Sequence, residues 1–176
     1  MILSLDPSTT ALGWAIGEHG EVVAAGVFKP PAKDHWINRV TGMIPALYIQ
    51  MNMMQKPLHF ERVIIESPDG KIHARAKGSG GQGASKYGFA VGYFFGYFAC
   101  EDIPTEAISV NEWTRGKPKE RRAREIEIIC PHLDFGKDPG LDAHDAAALL
   151  QWWYDLQAFE QANRLPKSYP HEQPHK

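Results

Sequence analysis

Asp6, Glu66, Asp142 and Asp145 are the side chains in this sequence whose type and placement could do chemistry together. Asp6 closes the apolar run of "ILSLDPSTT", Glu66 closes the β-branched run "RVIIE", and Asp142 and Asp145 stand three residues apart in "LDAHDAAALL". That spacing puts the last two on one face of a helix, so acids from distant segments can converge. Carboxylates gathered with no cluster of His or Cys beside them are hard oxygen ligands suited to Mg²⁺ or Mn²⁺. Two such ions about 4 Å apart can activate a water and stabilise the leaving oxygen in phosphodiester cleavage. Singly, each acid has an ordinary structural use: Asp6 caps a turn, Glu66 solvates a strand end, Asp142 opens a helix. Their joint placement at two strand ends and one helix start favours the metal centre.

The elements that must carry these acids are legible from periodicity. Ile2 to Asp6, Leu12 to Ile16 and Val22 to Phe28 read as strands separated by "PSTT" and "EHGE", an antiparallel meander. Gly13 lets the second strand pass close beside Asp6. Trp36, Val40, Ile44, Leu47 and Met51 recur at helical spacing, and Pro45 must kink that helix or begin a second one. Arg62 to Glu66 reads as a central fourth strand covered on both faces. A Gly-, Lys- and Ser-rich loop from Pro68 to about Ser85 follows, long enough to be functional. A helix over "SKYGFAVGYFFGYFACE", a fifth strand over 104–110 and helices over "KERRAREIEII" and "LDAHDAAALLQWWYDLQAFEQA" complete the order, with the last helix ending near Asn163. The expected fold class is α/β: a mixed five-stranded sheet, meander plus parallel strands, flanked by helices.

Length and composition agree with a single domain. The chain has 176 residues, 43% of them hydrophobic, and a net charge of −2, enough for one core. No run approaches the roughly 18 apolar residues of a membrane span and Met1 to Ser4 do not begin a secretory signal, so a cytoplasmic location is expected. Cys100 and Cys130 lie apart with no CxxC pattern and are expected to be plain core residues. His144 is expected to face away from its acidic neighbours, and Trp152 and Trp153 to pack in the core. Charge is unevenly spread: "RGKPKERRAR" at 115–124 has Glu120 as its single acid, and the stretch 70–86 has none. Both patches could meet phosphate.

The segments "ILSLDPSTTALGWAI", "RVIIE" and "LDAHDAAALL" resemble the signature segments of RuvC-type Holliday junction resolvases, of the RNase H-like nuclease superfamily. In that family an Asp ends the first strand within D-P-G/S-x-x-x-x-G, a Glu ends the fourth, and D-x-x-D-A opens the last helix. The resemblance covers residues 1 to about 155. It implies an RNase H-like domain over 1–162 followed by a polar tail over 163–176, and a homodimer that binds a four-way DNA junction and nicks two strands symmetrically. It also implies two Mg²⁺ (or Mn²⁺) ions held by Asp6, Glu66, Asp142 and Asp145, with Asp145 placed to orient the attacking water. The family's lysine near the active site, shortly after the fifth strand, is matched by Lys119, which the resemblance adds to the four acids as a catalytic residue, with Lys117 close behind. Lys71, Arg75, Lys77, Lys86, Arg115, Lys117, Lys119 and Arg122 are the expected DNA-binding residues, meeting backbone phosphates without reading bases.

The stripe Gly88, Gly92, Gly96 corresponds to the family's dimer helix, and either self-association or packing on the sheet would use it. The loop after Glu66 departs from the family pattern. It has no aromatic before Tyr87 to open a junction centre, which is compatible with looser recognition of branched DNA and with a phage-encoded member. Two other functions compete. A general nuclease for flaps, forks and three-way DNA would use the same acids. The actin and sugar-kinase ATP-binding fold shares a D-x-G/S-T-T loop, but it needs two related domains and this chain is too short.

Overall fold

The computed structural model describes residues 1–54, 59–68 and 80–164, with side chains in the last stretch described from residue 83. The chain runs β1 (Ile2–Pro7), β2 (Leu12–Glu18), β3 (Glu21–Phe28), α1 (Trp36–Met53), β4 (Arg62–Ser67), α2 (Gly80–Cys100), β5 (Thr105–Ser109), α3 (Val110–Thr114), α4 (Lys119–Ile129) and α5 (Asp142–Arg164). The strands form a mixed five-stranded sheet in the order β3-β2-β1-β4-β5. β1 pairs antiparallel with β2, and β2 with β3, as short turns allow. β4 lies parallel to β1 and β5 parallel to β4, both reached through helical crossovers.

Strand alternation splits the core into two layers. Leu3, Leu5, Leu12, Trp14, Ile16, Val63 and Ile65 face α1 and α2, whose Val40, Met43, Leu47, Phe94 and Phe98 are fully buried against them. Ala15, Val22, Ile64 and Ile108 face the other way, onto Trp113, Ile126, Leu149, Leu150 and Trp153. Because side chains alternate along a strand, Asp6 shares its face with Ile2 and Ser4, and Glu66 shares its face with Ile64. Both acids therefore point toward the side where α5 packs. The parallel register that sets Leu5 beside Ile65 brings the next residues, Asp6 and Glu66, side by side.

Small residues let α5 come close. On the α5-facing side β2 presents Gly13, Ala15 and Gly17 in alternation, and α5 answers with Ala143, Ala146 and Ala147, all fully buried. A Cβ at Gly13 would lie 2.0 Å from the Asp142 carbonyl oxygen, and one at Gly17 would lie 2.2 Å from Tyr154 Oη. The alternation of "LGWAIG" thus serves both layers at once: its large residues fill one core and its small ones admit the helix on the other.

Several expectations shift. α1 continues through Pro45 as one helix. Proline supplies no N–H to the carbonyl four residues back, which is that of Thr41, and the Tyr93 hydroxyl of α2 donates to it instead at 3.3 Å. α2 begins at Gly80 rather than after Ser85, a start concealed by glycines of low helix propensity. The fifth strand stops at Ser109, and Val110–Thr114 form the short helix α3, anchored by the buried Trp113. Cys130 is buried as expected, but Cys100, the last residue of α2, is exposed. α5 reaches Arg164, and the rest of the expected tail lies outside the described residues. Among the described residues no helix is long and apolar enough to cross a membrane.

Gly13→Ala is expected to cost about 1–3 kcal/mol of folding stability through overpacking against the α5 backbone. Denaturant unfolding checks this: a midpoint unchanged from wild type would mean that α5 can retreat freely from β2.

Candidate active site

Each acid reaches the site for a local reason. Asp6 and Glu66 are buried at the carboxyl ends of adjacent parallel strands, β1 and β4, where α/β sheets open their crevices. Asp142 and Asp145 occupy the first turn of α5, where the helix N-terminus favours negative charge. That terminus is fixed by Asp138, whose side chain is fully buried and whose Oδ2 accepts hydrogen bonds from the backbone N–H of Ala143 at 2.8 Å and of His144 at 3.4 Å. His144 Nδ1 lies 3.0 Å from the same oxygen and Nε2 lies 3.2 Å from Glu127 of α4, while the ring stacks on Phe135 at 3.9 Å. His144 thus faces away from the acids, into its own packing cluster. The donors on Asp138 outweigh its burial and hold its carboxyl below the ordinary range.

Lys119, the first residue of α4, reaches into the middle of the acids. Its Nζ lies 3.0 Å from Asp142 Oδ1, 3.1 Å from Asp145 Oδ2 and 3.7 Å from Asp6 Oδ2. Burial alone would lower its pKa, but Asp6, Asp145 and Asp142 together push it above the ordinary lysine value. Arg122, one turn later, grips both oxygens of Asp145 at 3.0 and 2.8 Å, a fork-to-carboxylate pairing. Glu66 is held by neutral donors: Tyr87 Oη donates to Oε1 at 3.1 Å and Trp113 Nε1 to Oε2 at 3.0 Å.

The cluster carries unrelieved repulsion despite these cations. Burial raises Asp6 well above the usual carboxylate range, and Glu66, Asp145 and Asp142 raise it further against the pull of Lys119. Burial and Asp145 raise Glu66, opposed by the Tyr87 hydroxyl, Lys119 and Arg122. Among the described residues no three His, Cys, Asp or Glu side chains are arranged around a common coordination point; the ammonium of Lys119 sits among the carboxylates in that role. An oxygen-only donor set that already surrounds a cation, and is strained without more positive charge, suits a hard divalent ion.

Of the expected DNA-binding residues, Arg115 and Lys117 are exposed beside the site, with Lys117 ion-paired to Glu125 at 2.7 Å. Lys86 lies over the Trp36 ring at 5.6 Å, and Lys119 and Arg122 are turned inward to the acids. Lys71, Arg75 and Lys77 lie outside the described residues. Among the described residues a Cβ added at Gly88, Gly92 or Gly96 would meet nothing within 4 Å, so the stripe faces away from the sheet rather than onto it. The sequence reading overlooked Asp138, Tyr87 and Trp113. An Asp shortly before an apolar helical run is a recognisable start signal; for the two aromatics nothing local marks the role.

The fold is that of solved RuvC structures and of a mitochondrial Holliday junction resolvase. It is seen in Thermus thermophilus RuvC in complex with a Holliday junction substrate (TM-score 0.62, 17% identity, 90% of this chain and 95% of that one). A second Thermus thermophilus RuvC structure matches with a TM-score of 0.58 at 19% identity over 90% of this chain and 96% of that one. The yeast mitochondrial Holliday junction resolvase Ydc2 matches with a TM-score of 0.52 at 12% identity, covering 93% and 81%. No protein-family model matches the chain, and no curated protein matches it in sequence. The neighbours are bacterial and mitochondrial and lend no support to a phage source.

Because Asp6 and Glu66 have raised pKa values in the folded state, the native protein keeps protons that the unfolded chain has released. Their stabilisation is complete below the ordinary carboxylate range and is lost as pH rises through the raised values. Thermal melts in chelator are therefore expected to fall from about pH 4.5 to pH 8, and Asp6→Asn to lessen that fall, melting about 2–4 °C above wild type at pH 8 for each kcal/mol of repulsion relieved. A variant that melts lower than wild type at pH 8 would show that Asp6 stabilises through Lys119 more than it repels.

Proposed function

We propose that this protein is a metal-dependent, structure-selective endodeoxyribonuclease that resolves four-way DNA junctions by paired symmetric nicks, acting as a homodimer in the cytoplasm. The observation that carries the reading is the convergence of Asp6, Asp142 and Asp145 around one ammonium, with Glu66 beside Asp6 at the end of the adjacent strand, in this fold. The neighbour solved with a Holliday junction substrate supports the choice of DNA.

The four acids would hold two Mg²⁺ ions, Mn²⁺ substituting. The chemistry such ions would supply there is a lowered pKa of a bound water and stabilisation of charge developing on the leaving oxygen. The chain's own residues prepare for that chemistry. Arg122 holds the Asp145 carboxylate in one orientation, from which it can accept a proton from the attacking water. Lys119 neutralises the acids and, on a flexible stem, can turn from Asp142 to a phosphate oxygen of the substrate. Arg115 and Lys117, with Lys71, Arg75, Lys77 and Lys86, would meet the flanking phosphates, giving strongly salt-dependent binding. Gly88, Gly92 and Gly96, facing outward with the exposed Phe89 and Phe95 beside them, form the surface for the second protomer, which supplies the second nick.

The decisive experiment compares labelled four-way, three-way, flap and linear DNA with Mg²⁺ or Mn²⁺. Paired symmetric nicks on the four-way junction are expected, abolished by Asp6→Asn while binding persists. Lys119→Ala is expected to slow cleavage about a hundredfold. Equal cutting of every branched form would favour the general branched-DNA nuclease, and no metal-dependent cutting would remove the acids' assigned role. Gly92→Arg is expected to give a folded monomer by light scattering, since a Cβ there meets no described residue within 4 Å; a persistent dimer would place the interface elsewhere.

A further inference from the structure

Glu66 is held differently from its three acidic neighbours. Asp6, Asp142 and Asp145 lie against the charged groups of Lys119 and Arg122, whereas Glu66 takes one hydrogen bond on each oxygen from a neutral side chain. Tyr87 of α2 donates to Oε1 at 3.1 Å and Trp113 of α3 to Oε2 at 3.0 Å. The two donors come from elements on either side of the end of β4. Together they fix the plane of a carboxylate whose three side-chain torsions would otherwise leave it free to turn.

Neutral donors have a chemical consequence. A guanidinium or ammonium on both oxygens would cancel the charge a cation needs, and would have to be displaced by it. A phenol and an indole N–H each occupy one acceptor position, leaving further lone pairs and the full negative charge. Trp113 is itself immobilised: it is buried, and the Arg122 guanidinium lies 4.8 Å above its ring. That same Arg122 grips Asp145. A continuous line of contacts, Tyr87 to Glu66 to Trp113 to Arg122 to Asp145, therefore joins the strand acid to the helix acid on the flank of the space that Lys119 fills.

We propose that Tyr87 and Trp113 are positioning residues that hold Glu66 in its cation-accepting orientation, so that divalent-ion affinity depends on two side chains that do not themselves ligate the ion. The proposal rests on the reading of the four acids as a metal centre. Removing groups that orient a ligand commonly lowers metal affinity 10- to 100-fold.

Tyr87→Phe tests it with the least disturbance, because only the hydroxyl is lost. Titration calorimetry of the full chain with Mn²⁺ and with Mg²⁺ is expected to give a dissociation constant raised about tenfold in Tyr87→Phe, with the melting temperature of the metal-free protein unchanged. In cleavage assays the apparent Mg²⁺ constant should rise by more than the saturated rate falls. Trp113→Phe, which removes the other donor, should weaken binding in the same direction; if it fails to fold, Tyr87→Phe alone decides. Ion binding by Tyr87→Phe as tight as wild type would overturn the proposal while leaving the metal centre standing. Wild type that binds neither ion would overturn both.

Discussion

The start of α5 lies so near β2 that the Asp142 carbonyl oxygen fills the space where a side chain at position 13 would be. This contact fixes how far the helix acids stand from the strand acids. A larger residue at 13 would push α5 outward and carry Asp142 and Asp145 away from Asp6 and Glu66. The rest of the α5 face is built to the same tolerance, with Ala15 and Gly17 on the strand and alanines on the helix. Asp138 sets the position of the helix start through its hydrogen bonds to the first-turn backbone, and His144, stacked on Phe135 and bonded toward Glu127, ties that start to α4. α4 also delivers Lys119 and Arg122, so the helix bearing the acids and the helix bearing their counter-charges are locked together through a cluster outside the site.

Bringing four carboxylates into a buried space works against stability. Like charges in a poorly solvated site raise one another's pKa, and Asp6 and Glu66 record that cost. The protein offsets it in two ways. Lys119 spreads one charge over three acids, and Arg122 sets two of its nitrogens on Asp145 and the third on the Lys117 carbonyl. These are inward uses of residues that the family resemblance assigns to DNA contact. A basic helix start beside an acidic cluster neutralises the cluster first, while Arg115, Lys117, Arg121 and Arg124 stay exposed.

Compensation of an unpaired group recurs away from the site. Pro45 strips Thr41 of its helical partner, and Tyr93 from the neighbouring helix supplies a hydroxyl in place of the missing N–H. An apparent helix breaker is thereby absorbed into a continuous α1, and α1 and α2 are tied together beneath the same sheet face.

How much was legible in the sequence follows from how local each signal is. The five strands, the two-layer sheet and the principal helices were readable because alternation and helical spacing are carried by neighbouring residues. Asp6 and Glu66 were readable because each ends an apolar run, and Asp142 with Asp145 because a three-residue spacing on a helix makes one face. What the sequence could not express was which donor meets which acid. Tyr87, Trp113 and Lys119 lie 21, 47 and 23 residues from the acids they bond, and no periodicity records a contact made across such a separation. Arg122 reads as a surface cation until α4 is seen to lean over α5, and the glycine stripe of α2 reads equally well as core or surface until the helix's rotation is known. Sequence by itself determined the pattern of elements and the identity of the acids, since both depend on short-range spacing. Tertiary structure alone decided their hydrogen-bond partners, the raised pKa values of Asp6 and Glu66 and the outward face of α2, because these depend on distances between segments that only packing sets.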